Sequence, residues 1–311
     1  MSVAVLFPGQ GSQHVGMGAD LFELRPDLLG DRADDILGWS LRRLCLDGPD
    51  EALTRTEHAQ AALFAISYAL WEELRAGYEG RVAGGAGHSL GEYTALAAAG
   101  AFVYERALAV VARRGEAMAD AAGLEPSGMA ALIGADVSLA DDVASRRRAG
   151  GGRLQVANIN APGQVVVAGG DDDIEWVSEN GRELGVRRVI RLNVAGAFHS
   201  SFMEPAAEEV GKALAEVTFA EPTFPVWSNT TARPHSVASL PATLRSQVVS
   251  TVRFEESLQD MAANGIDTFV HVGPGDVTAG MAKRTVGNAA VHVVSQVSDI
   301  PDVVASLVTV T

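Results

Sequence analysis

The stretch Gly84-Gly85-Ala86-Gly87-His88-Ser89-Leu90-Gly91-Glu92-Tyr93 contains Gly-x-Ser-x-Gly at 87 to 91. That spacing predicts a nucleophile elbow, a strand passing into a helix through a tight turn with the serine at its apex. Glycines two before and two after Ser89 keep Cβ atoms out of the crowded turn. Ser89 Oγ then projects above a sheet. Leu90 offers its N–H where the following helix has unpaired donors and a dipole that favours negative charge. Leu90 is therefore one candidate half of an oxyanion hole. Thr94 to Ala99 is a good helix former, and Gly100 is placed to end it. With 33 glycines among 311 residues the pattern also arises by chance, so it needs partners elsewhere in the chain.

Composition narrows the partners. Hydrophobic residues make up 47% and charged residues 20%, which describes a globular α/β-sized core rather than a disordered chain. A net charge of −15 argues against nucleic acid as the main partner. One cysteine, Cys45, allows no internal disulfide and fits a reducing cytoplasm. The seven histidines are scattered, so no metal site is expected. No apolar run reaches membrane-spanning length, and the opening Ser2 to Phe7 is too short and uncharged for a signal peptide.

Val3 to Phe7 is a continuous apolar run ending at Pro8-Gly9, which predicts a buried strand. The following Gly9-Gln10-Gly11 invites a dinucleotide reading, which fails because the third glycine position holds His14. A strand-end loop with two glycines lets backbone donors approach a ligand. Gln10 N–H is the candidate for the other half of the oxyanion hole, and an exposed Gln10 in a plain tight turn is the competing reading. Residues 19 to 46 read as short helices. Ala59 to Leu74 carries Leu63, Ile66, Leu70 and Leu74 at helical spacing and predicts a core helix, with Gln60 near its start as a surface residue.

Tyr104 to Ala121 predicts a second helix. Ala107, Val111 and Met118 share one stripe, and Arg114 lies on it, whereas Arg113 falls on the face of Arg106 and Glu116. A buried guanidinium needs an anion. That anion is either a substrate or a structural carboxylate, unless the side chain snorkels out to water.

Pro126-Ser127-Gly128 marks a break. Strands are expected at 129–133, 154–159, 165–167 and 186–194, and helices at 139–148 and 174–184, with Asn160-Ala161-Pro162-Gly163 as a turn. The order β-α-β-β-α-β is the ferredoxin-like unit, inserted as a smaller subdomain. His199 follows as the chain returns, well placed for a cleft, although a lone histidine is more often structural. Beyond it, strands are expected at 224–227, 268–272 and 291–294, with helices at 205–217, 241–249, 254–263 and 277–286.

Several ordered motifs together resemble the malonyl-CoA:acyl-carrier-protein transacylases, the loading enzymes of fatty acid and polyketide synthesis. They are Phe7 to Gln13, Gly87 to Tyr93, Arg114-Gly115 with Met118, Asn158 to Gln164, Phe198-His199-Ser200 and Val272 to Gly275. The resemblance spans nearly the whole chain. It implies an α/β-hydrolase-like larger subdomain, residues 1–127 and 198–311, with the ferredoxin-like subdomain at 128–197 and the active site in the cleft between them. It implies Ser89 as nucleophile, His199 as its base, Gln10 and Leu90 as the oxyanion hole, and Arg114 on the malonyl carboxylate. Gln247 falls where the family has a glutamine that supports the histidine, a backbone carbonyl replacing the usual triad acid. Asn160 falls near the substrate pocket, and Phe198 borders the space beside C2 of the acyl group. Malonyl-CoA and an acyl carrier protein are the implied partners, with no cofactor and a monomeric chain.

The chain departs from the family pattern in two places. Gln60-Ala61-Ala62-Leu63 stands where the family often has Gln-Pro-Ala-Leu, and Ser250-Thr251-Val252 lacks the usual proline. An acyl hydrolase on the same fold and a non-catalytic carrier-docking module are the competing functions. Arg114 counts against the first, and Ser89 with His199 against the second. Another extender unit on a trans-acting polyketide line stays open. Arg187, Arg188 and Arg191 are candidates for carrier docking, or simply a solvated face.

Overall fold

The computed structural model describes residues 1–308. Its first sheet, in the larger subdomain, contains β1 (Val3–Phe7) and β2 (Val82–Gly87). Further along the chain, β3 (Ser127–Ile133), β4 (Gln155–Ala161), β5 (Gln164–Gly170), β6 (Arg188–Arg191) and β7 (Val252–Arg253) form a second sheet, and β8 (Thr268–Val272) and β9 (Ala290–Val294) return to the first. The first sheet has order β2-β1-β8-β9 with every neighbour parallel. All five residues of β1 are buried, as a parallel strand covered on both faces requires. Its side chains alternate. Val3, Val5 and Phe7 join the core under helices Thr56–Gly77 and Tyr104–Leu124, while Ala4 and Leu6 join that under Phe254–Ala263 and Val277–Thr285.

The edge beyond β2 differs from expectation. Phe224 to Trp227 makes isolated bridges, Gly85 to Val226 and Trp227 to Pro234, rather than a strand. Pro225 has no N–H to extend a ladder. The Phe224 and Trp227 rings instead cover Gly85 and Gly84, where a Cβ would come within 2.9 and 2.7 Å of them.

The second sheet, in the smaller subdomain, has order β6-β3-β5-β4-β7. Its first four strands, numbered within the unit, run 4-1-3-2 with all neighbours antiparallel, which is the ferredoxin-like arrangement. The fifth, β7, comes from the C-terminal part of the chain and pairs parallel with β4 through Asn158–Val252 and Ile159–Arg253. Asn160 and Ala161 lie within β4 rather than in the turn. The hairpin closes at Pro162-Gly163, where Gly163 takes φ 74°. Strand β6 is shorter than the expected 186–194, and the helix expected to reach Leu184 is Asp171–Asn180. The N-terminal segment forms four short helices between Leu21 and Asp47. Among the described residues, no helix is long and apolar enough to cross a membrane.

Candidate active site

The elbow is interlocked with the loop after β1. A Cβ on Gly87 would overlap the Gly91 carbonyl, one on Gly91 would overlap Phe7 O, and one on Gly9 would lie 2.5 Å from His88 O. Ser89 leaves β2 with φ 52° and the helix Gly91–Ala98 begins just beyond it. Three non-glycine residues have positive φ among the described residues, and two of them are Ser89 and His199, at 52° and 57°. Strain of this kind persists only where surrounding contacts hold it.

Ser89 Oγ stands 2.7 Å from His199 Nε2. His199 Nδ1–H donates to the main-chain oxygen of Gln247 at 2.9 Å, which leaves Nε2 bare to accept the serine proton. Burial, then the nearby Arg114 charge, pushes the His199 pKa down to about 3, so the ring is neutral at pH 7.

Arg114 is buried among the apolar residues of its stripe, while Arg113 reaches Glu209 and Glu116 on the outside. It neither snorkels nor meets a carboxylate. Nη1 donates to Gln60 Oε1, and Nη2 donates to Gln247 Oε1 at 2.9 Å and to Ser89 Oγ at 3.1 Å. The guanidinium carbon lies 5.3 Å from the centre of the Tyr93 ring, and Nε has no partner. Burial works against this charge, and the field of Tyr93 and Glu92 works for it. Gln60 is thus no surface residue. It is buried, with Oε1 on Arg114 and Nε2 donating to Met118 Sδ at 3.5 Å.

These groups open on a cavity of about 330 Å³ between the two sheets. Gln10 and Leu90 line it, and among the described residues neither N–H donates to another group of the protein. The Gln10 side chain donates to Thr56 Oγ1 at 3.3 Å. Phe198, Met118, Met129 and Val166 form apolar wall. Asn160 lines the cavity and pairs through Oδ1 with His88 Nε2 at 2.7 Å. The loop after Gln247, which carries Ser250-Thr251-Val252, is held by side-chain and strand contacts. Thr251 Oγ1 donates to Val156 O at 2.7 Å and Val252 pairs into β7.

Sequence reasoning missed Asn229 and His235. Asn229 Oδ1 accepts from Ser89 N–H at 2.7 Å, and its Nδ2 donates to Gly87 O at 2.7 Å. His235 Nε2 donates to Glu92 Oε1 at 2.6 Å inside the protein. Gln60 carried a readable signal, a polar side chain one position from an apolar stripe. Asn229 lies in a loop with no periodicity and carried none.

Comparison with known proteins identifies the family. The family profile of acyl transferase domains matches residues 5–305. The chain belongs to that family. A malonyl CoA-acyl carrier protein transacylase of Bacillus subtilis is 40% identical over 91% of this chain and 90% of its own length. The solved malonyl CoA-acyl carrier protein transacylase of Coxiella burnetii superposes with a TM-score of 0.93 at 30% identity, covering 99% of this chain and 98% of that one. A malonyl-transacylase solved in complex with its type II PKS acyl-carrier protein also gives 0.93, at 32% identity, over 98% of this chain and all of the other.

Proposed function

We propose that this acyltransferase moves a malonyl group from malonyl-CoA to the phosphopantetheine thiol of an acyl carrier protein through a malonyl-Ser89 ester. The carrying observation is Arg114, a buried guanidinium with no carboxylate partner among the described residues, 3.1 Å from the nucleophile. Its fork matches a substrate carboxylate.

His199 Nε2 takes the Ser89 proton as Oγ attacks the thioester carbon. Gln10 and Leu90 N–H groups receive the oxyanion. The C–S bond breaks, and the CoA thiolate leaves with the proton from His199. The carrier thiol then gives its proton to His199, attacks the ester carbonyl, and Ser89 regains its hydrogen. One acyl group and one proton move in each half, so the reaction balances with no resident metal or redox cofactor. A single chain supplies every named group, in keeping with a monomer, and buried Cys45 suits a cytoplasmic setting.

The carrier would dock beside the cavity mouth. Arg182, Arg187, Arg188 and Arg284 line one depression, and Gln164 belongs to both it and the catalytic cavity. Such a cluster in a chain of net charge −15 is a local anion-steering surface. Arg191 is not part of it, being paired with Asp171. Incubation with malonyl-CoA and holo-carrier, read by mass, tests the reading. Malonyl-carrier is the expected product. Free malonate alone would indicate a hydrolase, and neither product a docking module.

A further inference from the structure

Beneath Ser89 lies a buried polar cluster that the reaction as written does not use. At its centre is the Glu92 carboxylate, which is fully buried. Oε1 accepts from Asn229 N–H at 3.1 Å and from His235 Nε2–H at 2.6 Å, and Oε2 accepts from Gln247 Nε2–H at 2.8 Å. His235 Nδ1 has no partner, so the ring's one hydrogen bond to a side chain is the one to Glu92.

Glu92 holds the Asn229 main chain and the Gln247 side chain, and the side-chain amides of both grip the strained serine from opposite sides. Asn229 Oδ1 accepts from Ser89 N–H, and Gln247 Nε2 donates to Ser89 O, each at 2.7 Å. Gln247 also accepts from Arg114 through Oε1 and from His199 through its main-chain oxygen. A neutral amide has two orientations, and an ionised carboxylate can only accept. Glu92 therefore decides which way Gln247 faces. Turned over, Gln247 Oε1 would oppose Glu92 Oε2 and Ser89 O, and its NH₂ would oppose the Arg114 guanidinium.

We infer that Glu92, braced by His235, is a positioning residue for acyl transfer: it fixes Asn229 and Gln247 so that Ser89, His199 and Arg114 are held in reacting geometry. The inference rests on the acyl-transfer reading above. No atom of Glu92 or His235 reaches the cavity lining, so the effect travels through the two amides.

Replacing Glu92 by Gln keeps the shape and turns one acceptor into a donor. With its oxygen kept on Asn229 N–H and His235, the new NH₂ opposes Gln247 Nε2, and where Gln247 turns over in response Ser89 O loses its donor. The experiment is an intact-mass time course of malonyl adduct on the full chain after mixing with malonyl-CoA. Glu92→Gln should slow adduct formation about 100-fold while the final occupancy matches wild type. A folded variant that forms adduct at the wild-type rate, whatever its final occupancy, would overturn the inference.

In a Gln247→Met background, adding Glu92→Gln should cost under about tenfold, because its main target is gone. Fully multiplying factors would mean that Glu92 acts elsewhere. Should Glu92→Gln fail to fold, His235 carries the test alone. His235→Leu, which leaves a buried carboxylate lone pair without a donor, should slow acylation about tenfold, and His235→Gln, which can donate, should stay within about threefold of wild type. Wild-type rates in His235→Leu, or equal losses in both, would defeat the proposal. Absence of any adduct on the wild-type chain would instead defeat the acyl-transfer reading itself.

Discussion

The two sheets meet at one cavity and bring different things to it. From the larger, parallel part come Ser89, His199, Arg114 and Gln60, polar groups tied to one another and to Gln247 behind them by hydrogen bonds. From the smaller, antiparallel part come Met129 on β3 and Val166 on β5, with Asn160 as a polar exception. In β3 the odd residues Met129 and Ala131 face the larger core, and the even residues Ala130 and Leu132 face the second sheet's own helices. One part therefore holds reacting groups and the other shapes the space they react in. Substitutions of Ser89 or His199 in the first should stop the reaction for every acyl group, and substitutions in the second should alter which acyl group is accepted.

The largest effects belong to the reacting pair. Ser89→Ala should leave no malonyl adduct by intact mass and reduce transfer by at least about 10⁴-fold. His199→Ala should slow acylation by a similar order, because the hydroxyl then has no base. An adduct of equal yield on Ser89→Ala would place the nucleophile elsewhere and dissolve the contrast between the two parts.

Arg114 sharpens the contrast, because it serves both chemistry and recognition. Unpairing a buried charge typically costs about 2–5 kcal/mol, so Arg114→Ala should lose about 30- to several-thousandfold in kcat/KM for malonyl-CoA. Acetyl-CoA has no carboxylate and should be spared. Arg114→Lys should recover only part, keeping the charge without the fork. The pH profile should move as well. The Arg114 charge is the second cause, after burial, of the depressed His199 pKa. Without it the pKa rises, the ring takes up a proton at higher pH, and the acid limb of acetyl-CoA acylation shifts toward neutrality. Equal losses on both thioesters would make Arg114 a structural residue.

What the sequence could disclose follows the same division. Val3–Phe7, the elbow and the Arg114 stripe were legible because strand runs, turn glycines and helical spacing are local patterns. The ferredoxin-like order was legible because it is a succession of such patterns. Gln60, Asn229 and His235 act through partners far away in the chain, 54 residues for Gln60 with Arg114 and 140 for Ser89 with Asn229. No local period reports such contacts. Strand 224–227 was misread because Pro225 blocks a ladder that its apolar neighbours suggest, and β7 is two residues long, too short for any pattern.

Phe198 stands between the two regimes, buried beside His199 and lining the cavity. Its ring should exclude a methyl group on C2. The wild-type chain should therefore favour malonyl over methylmalonyl by about ten- to two-hundredfold, the range that one methylene allows. Phe198→Ser should narrow that ratio. Equal specificity constants in the wild-type chain would remove volume at Phe198 as the source of selectivity.

The smallest effect is expected at Met129, on the wall furthest in kind from the reacting groups. Met129 is 4% exposed and packs in the larger core from β3, so truncation leaves a cavity and costs about 2–5 kcal/mol of stability. Its thioether makes no hydrogen bond to Ser89, His199 or Arg114, whose partners all lie elsewhere. Met129→Ala should therefore keep the rate of malonyl-Ser89 formation within about threefold of wild type, once scaled to the folded fraction. The widened wall should admit a bulkier acyl group, shifting the malonyl to methylmalonyl ratio by less than about tenfold. The rate and the ratio are read in the same mass time course, with Tm measured beside them. A drop of 100-fold or more in rate at full occupancy would show that the second sheet also positions the reacting groups, and shape and chemistry could no longer be assigned to separate parts of the molecule.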